Sequence, residues 1–239
     1  RGSTMSLSPR WKKIITDSWG HKLRSALVIA SITIGLFAVG LIASMQIILN
    51  QDMTQGYEAV NPANIQLVVS PFDQDLVDRV ARLDGVRQAE GAADYSLRYH
   101  KADGTWEPLA IQAFPEIAGK KINQVSLQAG SWPPQDKQMV VDRYKAGELP
   151  AGVGGSIQVE MPSGGTRELP LVGIIQDQTI GAGAGAGGNF FIAPAQAYLT
   201  LDTLPWLGLP DTMNRLYVTV DGDTTDPVHL QAVADRVAG

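Results

Sequence analysis

Apolar residues are spread unevenly along this chain. Ala26 to Leu49 is a 24-residue apolar stretch with no charge, whereas after Tyr57 short apolar runs alternate with turn residues. A helix of that length would be ~36 Å long, more than the ~30 Å of a bilayer's hydrocarbon core. The run therefore predicts one transmembrane helix over residues 26–49. Its few polar members, Ser31, Thr33, Ser44 and Gln46, can bond to their own backbone or to a neighbouring helix. A buried helix of a soluble protein would be shorter and show a polar edge. A signal peptide's apolar region would span only ~7–15 residues, although Ile42-Ala43-Ser44 offers a small-x-small site. Small residues spaced at four, Ser31 with Gly35 and Gly40 with Ser44, mark a face where another helix can approach closely.

Beyond Tyr57 the periodicity predicts an α+β domain. Ile65–Val69 has the composition of a strand, closed by Ser70-Pro71. Asp73 stands where a cap belongs, before a helix whose apolar face is Leu76, Val77, Val80, Ala81 and Leu83. Gly85 ends it, and Val86 to Tyr99 alternates weakly, as a half-buried strand does. The same grammar returns late in the chain. Leu216–Val220 reads as a strand, Asp221-Gly222 as a turn, and Asp226-Pro227 as the start of a helix with Leu230, Val233 and Val237 on one face. The first unit runs on into a strand and the second stops at Gly239, which predicts a fragment with a further strand to follow.

Between the two units, residues 101–211 read as mostly β. Turns at Asp103-Gly104, Trp132-Pro133-Pro134 and Ser163-Gly164-Gly165 separate the apolar runs Met139–Val141, Ile157–Val159 and Leu169–Ile175. A short helix is expected around Pro194–Leu201. The expected architecture is an α/β lobe built from 58–100 and 212–239, carrying an inserted β-rich lobe over 101–211.

Charge gives the run a direction. Six basic residues and one acid precede Ser25, a net of +5, while the remaining 13 basic and 23 acidic residues give −10. Basic residues flank the N-terminal end of the run and Asn50-Gln51-Asp52 the other, which places the N-terminus in the cytoplasm and the acidic domain outside. A domain this acidic repels phosphate backbones, so nucleic acid is not expected as a partner. Within the basic segment 5–25, Trp11, Ile14, Ile15 and Trp19 recur at helical spacing among Lys12, Lys13 and Lys22. That pattern suits either an interfacial helix anchored on membrane lipid by Trp11, Lys12, Lys13 and Trp19 or a plain continuation of the spanning helix. Residues 1–4, before Met5, read as an expression scar.

No constellation for catalysis is evident, and no cofactor or metal is expected in this chain. The absence of cysteine excludes disulfides, thiolate metal sites and a cysteine nucleophile. Gly183, Gly185 and Gly188 satisfy G-x-G-x-x-G, but they belong to an alternating Gly/Ala run, Gly181–Gly188, that matches by composition and is expected as a mobile loop. Asp221, Asp223 and Asp226 lack the glutamate that completes a calcium loop, and turn and cap roles account for them. His21, His100 and His229 fall in three separate regions.

Several stretches together resemble a known family. Trp19-Gly20-His21-Lys22-Leu23-Arg24-Ser25 leading into Ile32–Gly40 looks like the first membrane helix of MacB/FtsX-type ABC transporter permeases. Tyr95–Arg98, Ala129–Pro133, Met139–Asp142 followed by a helix, Val153–Val159 and Leu171–Ile175 resemble, in order, the family's periplasmic core domain. The resemblance implies a permease subunit in the inner membrane, with a βαβ porter-like lobe and an inserted β lobe outside. It implies a homodimer driven by a separate subunit that binds ATP, and admits a periplasmic adaptor. Its work would be mechanical: helix motion transmitted to the outer domain, for export or release of a substrate. The alternative reading is a single-pass anchored sensor or adaptor whose outer domain binds a ligand or partner.

Overall fold

The structure, a computed structural model, describes residues 22–180, 193–224 and 226–238. The expected anchors Trp11, Lys12, Lys13 and Trp19, the residues 1–4 and the Gly181–Gly188 run lie outside the described residues. Two units divide the chain, Arg1–Gln55 and Gly56–Gly239.

With no proline to interrupt its hydrogen-bond ladder, the first helix, α1, runs from Lys22 to Ala59 over 38 residues. Its large apolar side chains point in all directions: those from Leu27 to Met45 are 54% to 70% exposed. Among the described residues no helix is long and apolar enough to cross a membrane. The expected span over 26–49 is thus not met on those residues alone, because the described side chains run unbroken only from Ala26 to Ile42.

The second unit is a mixed α+β fold. Its elements are β1 (Ile65–Phe72), α2 (Gln74–Val80), β2 (Val86–His100), β3 (Trp106–Phe114), a 3-10 turn (Ile117–Gly119), β4 (Val125–Gly130), β5 (Met139–Asp142) and α3 (Arg143–Ala146). There follow β6 (Ser156–Glu160), β7 (Thr166–Asp177), β8 (Ala195–Thr200), α4 (Thr203–Trp206), β9 (Met213–Val220) and α5 (Pro227–Ala238). The strands join in the order β1-β9-β2-β3-β8-β5-β7-β4, and β6 pairs both β2 and β7.

Strand β9 lies between β1 and β2 and antiparallel to each, so the β1-α2-β2 unit is split by the late strand. Val77 and Val80 of α2 and Val233 of α5 are buried with Ile65, Val86, Leu216 and Val218 in one core. This is the apolar periodicity of both helices doing what it predicts.

Strand β2 changes partner along its length. Val86 to Ala92 pair with β9, and Ala93 to His100 with β3. From there β3, β8, β5, β7 and β6 follow until β6 returns to β2 at Arg98 and Tyr99. Strands β2, β3, β8, β5, β7 and β6 therefore close into a small barrel, which leaves few free edges. Tyr99, Leu109, Ile111, Met139, Ile157 and Leu169 fill its interior.

Two local expectations fail for the same physical reason, that pairing overrides local preference. The stretch expected as a helix around Pro194–Leu201 is strand β8, clasped by β3 on one side and β5 on the other, with Ala197, Tyr198 and Leu199 at most 1% exposed. Strand β1 does not stop at Ser70-Pro71 but reaches Phe72 past a register shift. A proline is tolerated there because β1 is an edge strand. Asp73 occupies the cap position of α2, yet its side chain makes no cap bond.

Candidate functional site

The chain leaving α1 enters the domain through a joint stitched by asparagines. Asn61 adopts φ 49°, a left-handed conformation that asparagine tolerates better than most residues. Its side-chain amide donates to Gln88 Oε1 on β2 and to the carbonyl of Lys121, both at 2.8 Å. Asn64 donates its backbone N–H to the Val218 carbonyl at 2.9 Å and accepts from the Val220 N–H at 2.9 Å, fixing the segment to β9. Asn123, also left-handed at φ 51°, accepts from the Ala63 N–H at 2.8 Å. The N–H groups of Asn123 and Gln124 close onto the Asn61 and Val60 carbonyls. One short segment is thereby tied to β2, to β9 and to the strap of residues 115–124 between β3 and β4.

Beneath the strap lie two charges without full partners. Lys120 has a partly exposed stem, but its Nζ is withheld from solvent and makes no hydrogen bond within the protein. That nitrogen sits 4.0 Å from the centre of the Phe114 ring and 5.8 Å from that of Tyr217. Burial pulls its pKa down to about 8, against the opposing attraction of Glu90, Asp177 and Asp94. On β2, Glu90 accepts from the Lys121 N–H through Oε1 at 2.5 Å, while Oε2 has no partner. Burial raises the pKa of that carboxyl, and the Lys121 N–H offsets part of the rise. Both side chains stand in the wall of a cleft of about 680 Å³ between α2, β2 and the strap.

A neighbouring polar layer is, by contrast, satisfied. Asp177 accepts from Tyr198 Oη at 2.6 Å and from both the N–H and the hydroxyl of Thr179, and its own N–H donates to Asp142 Oδ2 at 2.9 Å. Gln112 donates to Tyr217 Oη at 2.6 Å, and Asp94 pairs with Arg215 at 2.8 Å. Burial first, then these carboxylates, pushes both tyrosine hydroxyls above their ordinary value.

The helix-packing residues fall partly together. Gly40 and Ser44 share a shallow groove on α1 with Thr33, Leu36, Phe37 and Leu41, and Ser31 and Gly35 are outside it. A Cβ at Gly35 or Gly40 would meet nothing within 4 Å. In the late loop, Asp226 caps α5 through the Val228 N–H and Asp221 pairs with Arg87. His229 lies 2.7 Å from the Asp221 carbonyl, and His100 stacks edge-on against Trp106. Among the described residues no three metal-ligating side chains gather in one place.

The sequence alone does not single out Asn61, Asn64, Asn123, Glu90 or Lys120. An Asn-Pro pair at the end of a long helix is a visible stop signal, but Lys120-Lys121 looks like any solvated pair, and nothing local marks Glu90 as buried.

Four of the stretches that resemble the periplasmic core domain converge in space. They meet at β7: Ala129–Pro133 lies along it through β4, Met139–Asp142 pairs with it as β5, and Val153–Val159 runs into β6. The fourth, Leu171–Ile175, is part of β7 itself. At the contact, a Cβ on Gly130 would lie 2.2 Å from the Val172 carbonyl oxygen, and one on Gly173 2.4 Å from that of Ser131. Only glycine permits this approach.

A family model described as the MacB-like periplasmic core domain matches residues 25–239. Comparison with curated proteins gives no match. Among solved structures, the chain is similar to the extracellular domain of the noncanonic ABC-type transporter YknZ from Gram-positive bacteria, at 10% identity, a TM-score of 0.47, and coverage of 70% of this chain and 86% of that one. It is also similar to the periplasmic region of MacB from Actinobacillus actinomycetemcomitans, at 11% identity, a TM-score of 0.42, and coverage of 72% and 74%. What assigns the chain is the family model, which spans nearly all of it. The chain belongs to the family of MacB-like periplasmic core domains, the extracytoplasmic part of MacB/FtsX-type ABC transporter permeases.

Proposed function

We infer that this chain is a permease subunit of an ABC transporter. In this reading α1 is the first membrane helix and the domain after it couples ATP-driven helix motion to export or release of a substrate. The chain performs no chemistry of its own; ATP is bound by a separate subunit. A second copy of the permease and a periplasmic adaptor complete the assembly, with the N-terminus in the cytoplasm and the domain outside.

The observation that carries this reading is the joint. Displacement of the segment after α1 reaches β2 and β9 through Asn61 and Asn64, and β2 continues without interruption into the barrel. Hydrogen-bonded sheet transmits such a displacement because packed elements deform little. A helix that is apolar all round and exposed on every side supports placement in lipid, where that surface costs nothing. The excess of basic residues before Ser25 supports the orientation.

The test uses the permease reconstituted with its ATPase in lipid vesicles, with spin labels on the barrel. Asn61→Gly keeps the left-handed backbone accessible while removing both side-chain bonds. ATP is expected to shift the label distances in the unmodified permease and to shift them less in the variant, which keeps the Asn64 and backbone bonds to β9 and the strap, with hydrolysis continuing in both. A variant that moves like the unmodified protein sinks the reading.

A further inference from the structure

Polar side chains fall into rows across neighbouring strands of the domain. Asp94 of β2, Gln112 of β3 and Tyr198 of β8 stand in register, and two positions along, Ala110 pairs with Gln196 on the same face. Together with Gln66 of β1, Asn123 of the strap and Thr179 just past β7, they line a cleft of about 290 Å³. Its carboxylates are already engaged: Asp94 by Arg215 and Gln112, Asp177 by Tyr198 and Thr179. Three amides are not. Gln66 and Gln196 make no side-chain hydrogen bond among the described residues. Asn123 is only 6% exposed, and its Oδ1 accepts from the Ala63 N–H. Its Nδ2 has no partner among the described residues and is not sealed from solvent. Two glutamines near the surface meet bulk water, but a donor set so deep meets only what enters the cleft. An open donor in that position points to a missing acceptor.

The chemistry of that acceptor follows from the wall. An anion would face Asp94 and Asp177. A cation would find both carboxylates engaged and Arg215 beside Asp94. A peptide strand needs a sheet edge, and β3, which floors the cleft, is paired on both sides by β2 and β8. What fits is a neutral molecule whose groups donate and accept at once, as hydroxyls do. The volume lies at the low end for ligand pockets, ~300–1,000 Å³, and admits a single ring. We propose that this cleft binds a neutral saccharide ring, its hydroxyls held by Asn123 Nδ2 and the side-chain amides of Gln66 and Gln196.

Titration calorimetry on the full chain in phosphatidylcholine nanodiscs tests this, with glucose and N-acetylglucosamine as probes. Glycylglycine, methylamine and acetate serve as peptide, cation and anion controls. Saturable binding of at least one sugar is expected, and none of the three controls at the same concentration. Asn123→Asp keeps the acceptor for the Ala63 N–H and replaces the open donor with a second acceptor, so binding should weaken about tenfold. Gln196→Ala, which removes one neutral hydrogen bond, should weaken it about threefold. Gln128→Ala, on β4 and outside the cleft, should bind like the unmodified chain. Melting curves check folding, and Gln196→Ala keeps the test decisive if Asn123→Asp disturbs the joint. The proposal is overturned if neither sugar saturates, if any control binds as well as the sugars, or if the folded cleft variants bind like the unmodified chain. None of these readouts needs transport or ATP, so they stand or fall apart from the permease reading.

Discussion

At the scale of single residues, Lys120 is a buried charge with a readable energetic signature. Its ammonium rests on an aromatic face, which returns part of the desolvation cost, and has no hydrogen bond to return the rest. The depressed pKa means that the fold disfavours the charged form, so Lys120→Met is expected to raise stability at pH 7 in urea titrations. The pH dependence has a definite sign. Folded Lys120 releases its proton near 8, and an unfolded lysine near 10.4. Between those values the folded state binds fewer protons, so stability rises as pH increases from about 8 to about 10. Lys120→Met should flatten that rise, and an unchanged slope would contradict the burial described for Nζ. Gly173 makes a second sharp case. Alanine there places a Cβ 2.4 Å from the Ser131 carbonyl oxygen, and backbone cannot step aside. A loss of about 1–3 kcal/mol or more is expected from this overpacking. Gly152→Ala, with nothing within 4 Å, is the matched control and should be neutral or slightly stabilising. None of this was legible in the sequence, because Gly130 and Gly173 lie 43 positions apart and only the β4–β7 pairing brings them together.

At the scale of elements, legibility depended on whether a segment's environment is one-sided. Helices α2 and α5 each bury one face, and the sequence shows that face through Val77, Val80 and Val233. Strand β8 buries both faces, so Ala195–Thr200 loses the alternation that identifies a half-buried strand and reads as helix by its alanine, glutamine and leucine. The partner change within β2 was equally hidden, since Ala92 and Ala93 are adjacent small residues, both fully buried, on opposite faces of one strand. That strand holds the α/β lobe and the barrel to a common backbone. The two lobes should therefore unfold in a single calorimetric transition. Proline at Ala92 removes a ladder hydrogen bond in a central strand and clashes with its neighbours. The transition is expected to split in two, one for each lobe; a single transition in the variant would mean that the lobes are coupled by their cores and not by β2.

At the scale of the whole molecule, the polarised sequence divides the chain into parts with opposite solvent requirements. The Gly56–Gly239 unit buries its apolar residues in three clusters, whereas α1 leaves large aliphatic side chains open from Leu27 to Met45. At ~25 cal/mol per Å² of apolar surface, a helix exposing that many aliphatic side chains cannot remain in water without a partner. The family's motifs were readable because each sits at a turn or strand of this chain. Their meeting around β7 was not, being a property of the fold alone. The joint at Asn61 and Asn64 makes the division testable, since residues 56–239 keep every hydrogen bond that fixes the segment after α1. Expressed alone, those residues should be folded and remain in the supernatant after alkaline carbonate extraction, while the full chain stays with the membrane pellet. Protease added outside intact spheroplasts should then cut the domain and spare an N-terminal tag. Recovery of the full chain in the carbonate supernatant, or loss of the tag in unbroken cells, would remove the membrane helix from the permease reading.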